Sequence, residues 1–332
     1  MDLQDVYRDL SKKLLLEHSA VLPRIWKTVC SEDEARVVNA LPATARELAE
    51  KFGITEHDML AILDNLFHKG AVFEAVKDGV TTYRMPRHII QFHDATILWK
   101  EAPQELMNLW MEFEHTDYPM LLELVAQIKM PSFMRVIPIG ESITPRNQVL
   151  AHEDALGMLE AARVIAVTDC ACRTLLRRCD HPLTVCVQIN RGAEYAIKRG
   201  TGRRIGASEA RELLELSRKA GLVHMTENTA GRSNVICNCC SCCCEMLRFA
   251  TDEKTRRAVL SPSRYQAHLD KDACTACGLC ADICPVKALG SGDGDTMLLD
   301  ADACIGCGLC GSVCPVGAVT LVEVRPPDFI PA

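Results

Sequence analysis

The chain has 332 residues, enough for two or three domains, and at 48% hydrophobic and 24% charged it has the make-up of an ordinary globular protein. No uncharged apolar run reaches the roughly 18 residues a membrane helix needs, and residues 1–10 lack the basic-then-apolar order of a secretory signal, so a cytoplasmic protein is expected. The net charge of −7 divides into −9 over residues 1–160, +7 over 161–260 and −5 over 261–332, which suggests three units with different partners.

Residues 2–30 read as helical, packing on the unit that follows or forming a homodimer contact. Residues 32–40 read as a short helix. Thr44 and Glu47 make a capping box ahead of Leu48, Ala49 and Phe52, and Gly53 is the turn. Thr55 and Asp58 repeat the signal, and Met59, Ile62, Leu63, Leu66 and Phe67 then share one helical face, stopped by Gly70. Residues 71–76 and 80–85 read as strands joined at Asp78-Gly79. This order of helix, helix–turn–helix and hairpin resembles the winged-helix fold of many bacterial regulators, which implies a DNA-reading helix. Yet that helix shows Glu56, His57, Asp58, Asp64, Asn65 and His68 with only Lys69 basic, and residues 30–90 hold 7 Lys/Arg against 10 Asp/Glu. Such a field repels phosphate, so a docking module is expected in place of a DNA reader. Residues 101–129 read as two helices broken near Tyr118-Pro119, with Trp99, Trp110 and Phe113 in the core. Met130-Pro131 and residues 137–145 form a Pro-containing connector.

Further on, His152, Glu153 and Asp154 are expected to cap a helix. Strands are expected at 163–168, 183–189, 222–226 and 234–237, and helices at 193–199 and 208–220, the second capped by Ser208 and ended by Gly221. The result is a small α/β domain. It holds ten of the nineteen cysteines: Cys170, Cys172, Cys179 and Cys186, then Cys237, Cys239, Cys240, Cys242, Cys243 and Cys244. In a reducing compartment such crowding favours metal ligation over disulfides. Several lie at strand ends, where α/β sheets place ligands. The two groups are expected to converge on a further metal centre, most simply a third [4Fe–4S] cluster on Cys170, Cys172, Cys237 and Cys240, with Cys186 and Cys243 in reserve. A four-thiolate zinc site, a redox-active thiol pair and plain burial are the alternatives. The basic, Gly-rich stretch 198–206 is neither a dinucleotide fingerprint nor a Walker A loop. It could hold a small anionic substrate or dock an acidic surface.

Residues 272–286 and 302–316 repeat at an offset of 30, each with C-x2-C-x2-C-x3-C-P. That run places three thiolates on one cubane and sends the fourth to the other. One cluster then takes Cys274, Cys277, Cys280 and Cys314, and the other Cys304, Cys307, Cys310 and Cys284. Gly278 and Gly308 allow tight turns, Pro285 and Pro315 close the loops, and Leu279, Ile283, Leu309 and Val313 are expected to wall the clusters from water. Strands are expected at 265–269, 296–299 and 318–324. Residues 270–324 resemble bacterial two-[4Fe–4S] ferredoxins, apart from a longer Gly/Asp-rich link at 290–295, and the resemblance implies a carrier of electrons with no substrate pocket of its own.

Together these readings give an α+β multidomain chain: a helical, winged-helix-like unit over 1–130, a Cys-rich α/β domain over 131–260, and a two-cluster ferredoxin-like unit of βαββαβ type over 261–332. The expected function is electron transfer through two [4Fe–4S] clusters to a metal or redox centre in the middle domain or to a partner reductase, as part of an anaerobic oxidoreductase. The alternative is an iron–sulfur redox-sensing transcriptional regulator. No flavin or nicotinamide motif decides whether the chain is itself an enzyme.

Overall fold

The structure, a computed structural model, describes residues 3–128, 131–144, 149–231, 233–252, 255–292 and 296–332; the connector residues Met130 and Pro145 and the link residues 293–295 lie outside these. The chain forms two compact units, residues 1–121 with 174–176, and residues 122–173 with 177–332. No helix among the described residues is long and apolar enough to cross a membrane.

The first unit is helical. It contains α1 (Leu3–Lys13), α2 (Leu22–Val29), α3 (Glu32–Asn39), α4 (Ala45–Phe52) and α5 (Glu56–His68), then a hairpin of β1 (Phe73–Lys77) and β2 (Val80–Arg84). α6 (Ile89–Ile97) and α7 (Gln104–His115) follow, and α8 (Asp117–Gln127) leads out of the unit. Local chemistry sets the boundaries. Ser31 with Glu34, and Thr44 with Glu47, make full capping boxes, Thr55 caps α5, and Gly53 ends α4 in the left-handed region. The break expected near Pro119 falls earlier, between α7 and α8, because proline is tolerated in a first helical turn and Pro119 sits in that of α8. The core is aromatic: Trp26 stacks on Phe92 at 3.9 Å, and Trp110 meets Phe92 and Phe113 edge-on while its indole N–H donates to Thr96. Trp99, expected in this core, is only half-buried. Lys69 is not offered to solvent either: it reaches Glu34 on α3 at 3.0 Å, as does Asn65 at 2.7 Å.

The second unit is built on a seven-stranded mixed sheet. Its strands are β3 (Met134–Val136), β4 (Ile165–Thr168), β5 (Cys186–Ile189), β6 (Gly202–Ile205), β7 (Val223–Glu227), β8 (Val235–Cys239) and β9 (Leu260–Ser261), in the spatial order β6-β4-β5-β8-β7-β3-β9. The β3–β9 pair is parallel and the other pairs antiparallel. The helices are α9 (Ala155–Glu160), α11 (Asn190–Lys198), α12 (Ala207–Lys219) and α13 (Arg256–Val259), while α10 (Ala171–Leu176) begins in this unit and gives its last three residues to the first. Asp154 caps α9, as expected of that polar cluster. Ser208 does not cap α12; Gly206 occupies that position and Ser208 lies inside the first turn.

Side chains alternate across a sheet. Ile165, Val167, Val187, Ile189 and Ile236 therefore share one face and form an aliphatic core with Leu159 of α9 and Leu214 of α12. The register puts Cys237 opposite Met225 and Cys239 opposite Val223, so these residues share the other face.

The carboxy-terminal part of this unit runs β10 (Tyr265–Leu269), α14 (Leu279–Asp282), β11 (Leu289–Ser291), β12 (Met297–Leu299), α15 (Leu309–Ser312) and β13 (Val319–Glu323). β10 pairs antiparallel with β13, and β11 with β12. It packs on the sheet: the Ile139 N–H donates to Cys307 O at 2.9 Å, and Ser142 Oγ to Gly308 O at 2.8 Å. Arg264 clamps the two parts. Its Nε donates to both oxygens of Glu153, at 2.9 and 3.0 Å, and Nη1 to Glu323 at 2.7 Å, with the Arg264 and Glu153 side chains each only 1% exposed.

Two outcomes are expected. Arg264→Met should cost about 3–5 kcal/mol in chemical denaturation, because it leaves the Glu153 carboxylate buried without its partner. In the first unit, burial alone would raise the Glu34 pKa, but the Ser31 N–H and the Lys69 ammonium outweigh it and hold the carboxyl below its usual value. A group with a lowered folded pKa stabilises above its unfolded pKa, and that stability is lost as pH falls through the folded value. Acid titration of thermal stability should therefore show a larger loss for the native chain than for Glu34→Gln over that range.

Candidate iron–sulfur and thiol sites

Each half of the carboxy-terminal repeat builds one turn of backbone around a cavity. Cys274, Cys277, Cys280 and Cys314 line one of about 290 Å³, together with Gly278, Leu279 and Met297. Cys284, Cys304, Cys307 and Cys310 line a second of about 330 Å³, with Pro285, Gly308 and Leu309. The backbone aims donors at the sulfurs. The N–H groups of Ala288 and Ala318 point at Cys284 and Cys314, both at 3.2 Å, and those of Ala276 and Ala267 at Cys274 and Cys304, at 3.4 and 3.5 Å. Hydrogen bonds to the sulfurs help set a cluster's potential.

The two cavities differ in exposure. At the first, Cys277 is exposed and Leu279 is 46% exposed. At the second, Cys307 and Cys310 are buried, and the Cys307 carbonyl is bonded to the segment that follows β3. Burial pushes the Cys310 thiol up to about 12, with the sulfurs of Cys304 and Cys284 adding to the rise. A cationic metal must offset that cost if these groups are to sit there as thiolates. Of the expected apolar walls, Leu279 and Leu309 line the cavities. Ile283 and Val313 do not: Ile283 turns toward Gly221, where a Cβ would stand 3.4 Å from its Cγ1.

The middle cysteines sort differently from the sequence expectation. Cys170, Cys172, Cys237 and Cys240 are not gathered within 4.8 Å of one another. Alternation along β8 sends Cys237 and Cys239 to one face, and the chain turns at Cys240. Cys240 instead joins Cys179, Cys242 and Cys243 in a tetrad whose sulfurs all lie within 4.8 Å of one another. The Cys179 sulfur is 3.9 Å from that of Cys240 and 3.8 Å from that of Cys243. The other thiols form a string, in which Cys170 bonds to Cys172, Cys172 to Cys244, Cys244 to Cys239, and Cys239 to Cys237. The Cys186 sulfur accepts from Gln188. Sequence spacing did not single out Cys179, Cys242, Cys239 or Cys244.

Each group has one thiol toward which its neighbouring thiols point. Cys244 is held well below the usual thiol range by Cys172 and Cys239, assisted by the N–H groups of Leu247 and Met246 and opposed by burial. Burial alone would raise Cys179, but the His181 N–H and the thiols of Cys242, Cys243 and Cys240 outweigh it and lower its pKa.

Arg173, 4% exposed, adjoins both groups. Its Nη1 donates to Asn238 O at 3.0 Å and approaches Cys240 Sγ at 3.7 Å. Burial would lower its pKa, yet the sulfurs of Cys170, Cys240 and Cys239 outweigh this and raise it. Its Nε and Nη2 are buried with no acceptor among the described residues. A buried guanidinium in that state is costly, and an anionic, sulfur-rich group on the neighbouring thiols is what would satisfy it. The basic stretch expected to hold an anion is largely edge strand β6, where the exposed Arg203 pairs with Glu209.

Residues 267–321 match the 4Fe–4S dicluster domain family. No curated protein and no solved structure matches the chain. The carboxy-terminal part is thus an iron–sulfur domain, and candidate metal-ligand clusters accompany it.

The repeat contains an internal control. Gly306 adopts φ +68°, and a Cβ there would sit 2.1 Å from Tyr265 O; its counterpart, Ala276, tolerates φ 49°. Gly306→Ala should cost about 2–5 kcal/mol from strain and overpacking. Ala276→Gly should stay within about 1 kcal/mol of the native chain, as relief of strain offsets added chain entropy. Anaerobic denaturation curves of both variants check this.

Proposed function

We propose that the chain is an iron–sulfur electron-transfer protein, with one [4Fe–4S] cluster on Cys274, Cys277, Cys280 and Cys314, a second on Cys304, Cys307, Cys310 and Cys284, and a third centre on the thiol string of the middle domain. The observation that carries this reading is the division of eight cysteines between two cavities, one reaching solvent at Cys277 and one set against the sheet at Cys307. When bound, the clusters supply one-electron carriers spaced between those two sides.

The protein's own residues make a short, dry route from the second cavity to the string. Ile283, next to Cys284, packs on Gly221. Leu222 and Val223 continue that segment, and Val223 pairs with Cys239 across one strand spacing of about 5 Å. Val223 and Met225 are buried and exclude water from the cysteine face. The string offers five thiols, enough to supply the four thiolates of a cubane. Arg173 supplies a positive charge to balance it. Three of the string's members, Cys170, Cys172 and Cys237, are those expected from the sequence; Cys239 and Cys244 take the place of Cys240.

On this reading residues 261–332 form the carrier domain and 131–260 the receiving one. The acidic amino-terminal unit, residues 1–130, docks a redox partner or an anaerobic reductase to which electrons pass.

Purification without oxygen, followed by iron and labile-sulfide counts, tests the reading. About 12 of each per chain are expected from three cubanes, and Cys172→Ser with Cys239→Ser should lower both to about 8. An iron-poor, colourless, folded chain would refute the reading, and an unchanged count in the double variant would remove the third centre from the string.

A further inference from the structure

We infer that the tetrad Cys179, Cys240, Cys242 and Cys243 holds a single tetrahedral zinc ion, separate from every iron–sulfur centre of the chain. Four thiolates at 2.3 Å from one ion stand about 3.8 Å apart along each tetrahedral edge. The sulfurs of Cys179 and Cys240, at 3.9 Å, and of Cys179 and Cys243, at 3.8 Å, have that separation, and all four lie within 4.8 Å of one another.

The chain supplies its own contrast. Its eight carboxy-terminal cysteines line two open cavities, and among the described residues no three of their sulfurs are gathered within 4.8 Å. One set of cysteines is spaced to surround a multi-atom group, and the other to meet at a point.

The tetrad also has the closure of a structural site. Cys240 and Cys243 are buried, and Cys179 and Cys242 are half-buried. The His181 N–H donates to Cys179, the Arg178 N–H to Cys243, and Arg173 faces Cys240. Such contacts orient the ligands and offset the charge of four thiolates on a divalent ion. All four positions are protein sulfur, which leaves no open place for substrate and matches a redox-silent zinc site. Zinc also outcompetes ferrous iron at a given thiolate site. The ion would join the loop at Cys179 to the turn after β8, segments about 60 residues apart in sequence, and so hold Arg173 against the string.

Metal analysis of the anaerobically purified full chain should find about one zinc per chain, and zinc absorption-edge fine structure should show four sulfurs at about 2.3 Å. The second measurement uses the native chain, so it does not depend on a variant that folds. Cys179→Ser with Cys243→Ser should lose the zinc and keep its iron, whereas Cys172→Ser with Cys239→Ser should keep the zinc. Zinc retained in the first variant, nitrogen or oxygen in the zinc shell, or iron with sulfide lost from that variant in place of zinc would each overturn the assignment. Iron counts answer for the third cluster and zinc counts for the tetrad, so the two readings fail separately.

Discussion

The buried ion pair of Arg264 and Glu153 is the interaction on which the second unit depends. Each side chain is only 1% exposed, so both charges have left water and each relies on the other. Glu153 belongs to the sheet part of the unit and Arg264 leads into β10; Glu323, on β13, takes a second N–H of the same guanidinium. One side chain thus sets the first and last strands of the iron–sulfur domain against the sheet. Without that placement the Cys307 carbonyl would not meet the Ile139 N–H, and the inner cavity would face water.

Burial at the clusters follows from that docking. The repeat is nearly symmetric in sequence, yet its halves are unequal in surroundings. Ala276 carries a Cβ, while Gly306 is pressed against Tyr265 and Ser263. The inner half has given up a side chain so that backbone can approach backbone. Identical ligand chemistry then sits in two dielectric settings, one of the main means by which a protein separates the potentials of like clusters.

In the middle of the sheet a different constraint acts. Nine thiols lie close together, and strand alternation with one turn divides them into a string of five and a tetrad. Arg173 stands against both, its guanidinium in bonding range of Cys240 and the Asn238 carbonyl together. The electrostatics of the groups are therefore coupled, and a change of charge in one is felt by the other through this shared neighbour.

Some of this was legible in the sequence because it is local. The capping signals at Thr44 and Thr55, the Asp78-Gly79 hairpin and the cysteine repeat all act over a few residues, where covalent spacing nearly dictates geometry. Four of the seven strands, β4, β5, β7 and β8, were legible for the same reason, whereas β3, β6 and β9 were not. Lys69 read as an exposed cation, and Cys240 as a partner of Cys170, because nothing nearby in the chain says otherwise. Glu34 lies 35 residues before Lys69, and Cys179 lies 61 before Cys240. Which residues meet across such distances is decided by strand register and by which face each element buries, and these are properties of the packed whole. The sequence by itself determined that the chain binds iron–sulfur clusters; only the tertiary structure decided which thiols of the middle domain stand together, because the pairing of β7, β8 and the Cys179 loop is a long-range choice that burial of the aliphatic face imposes.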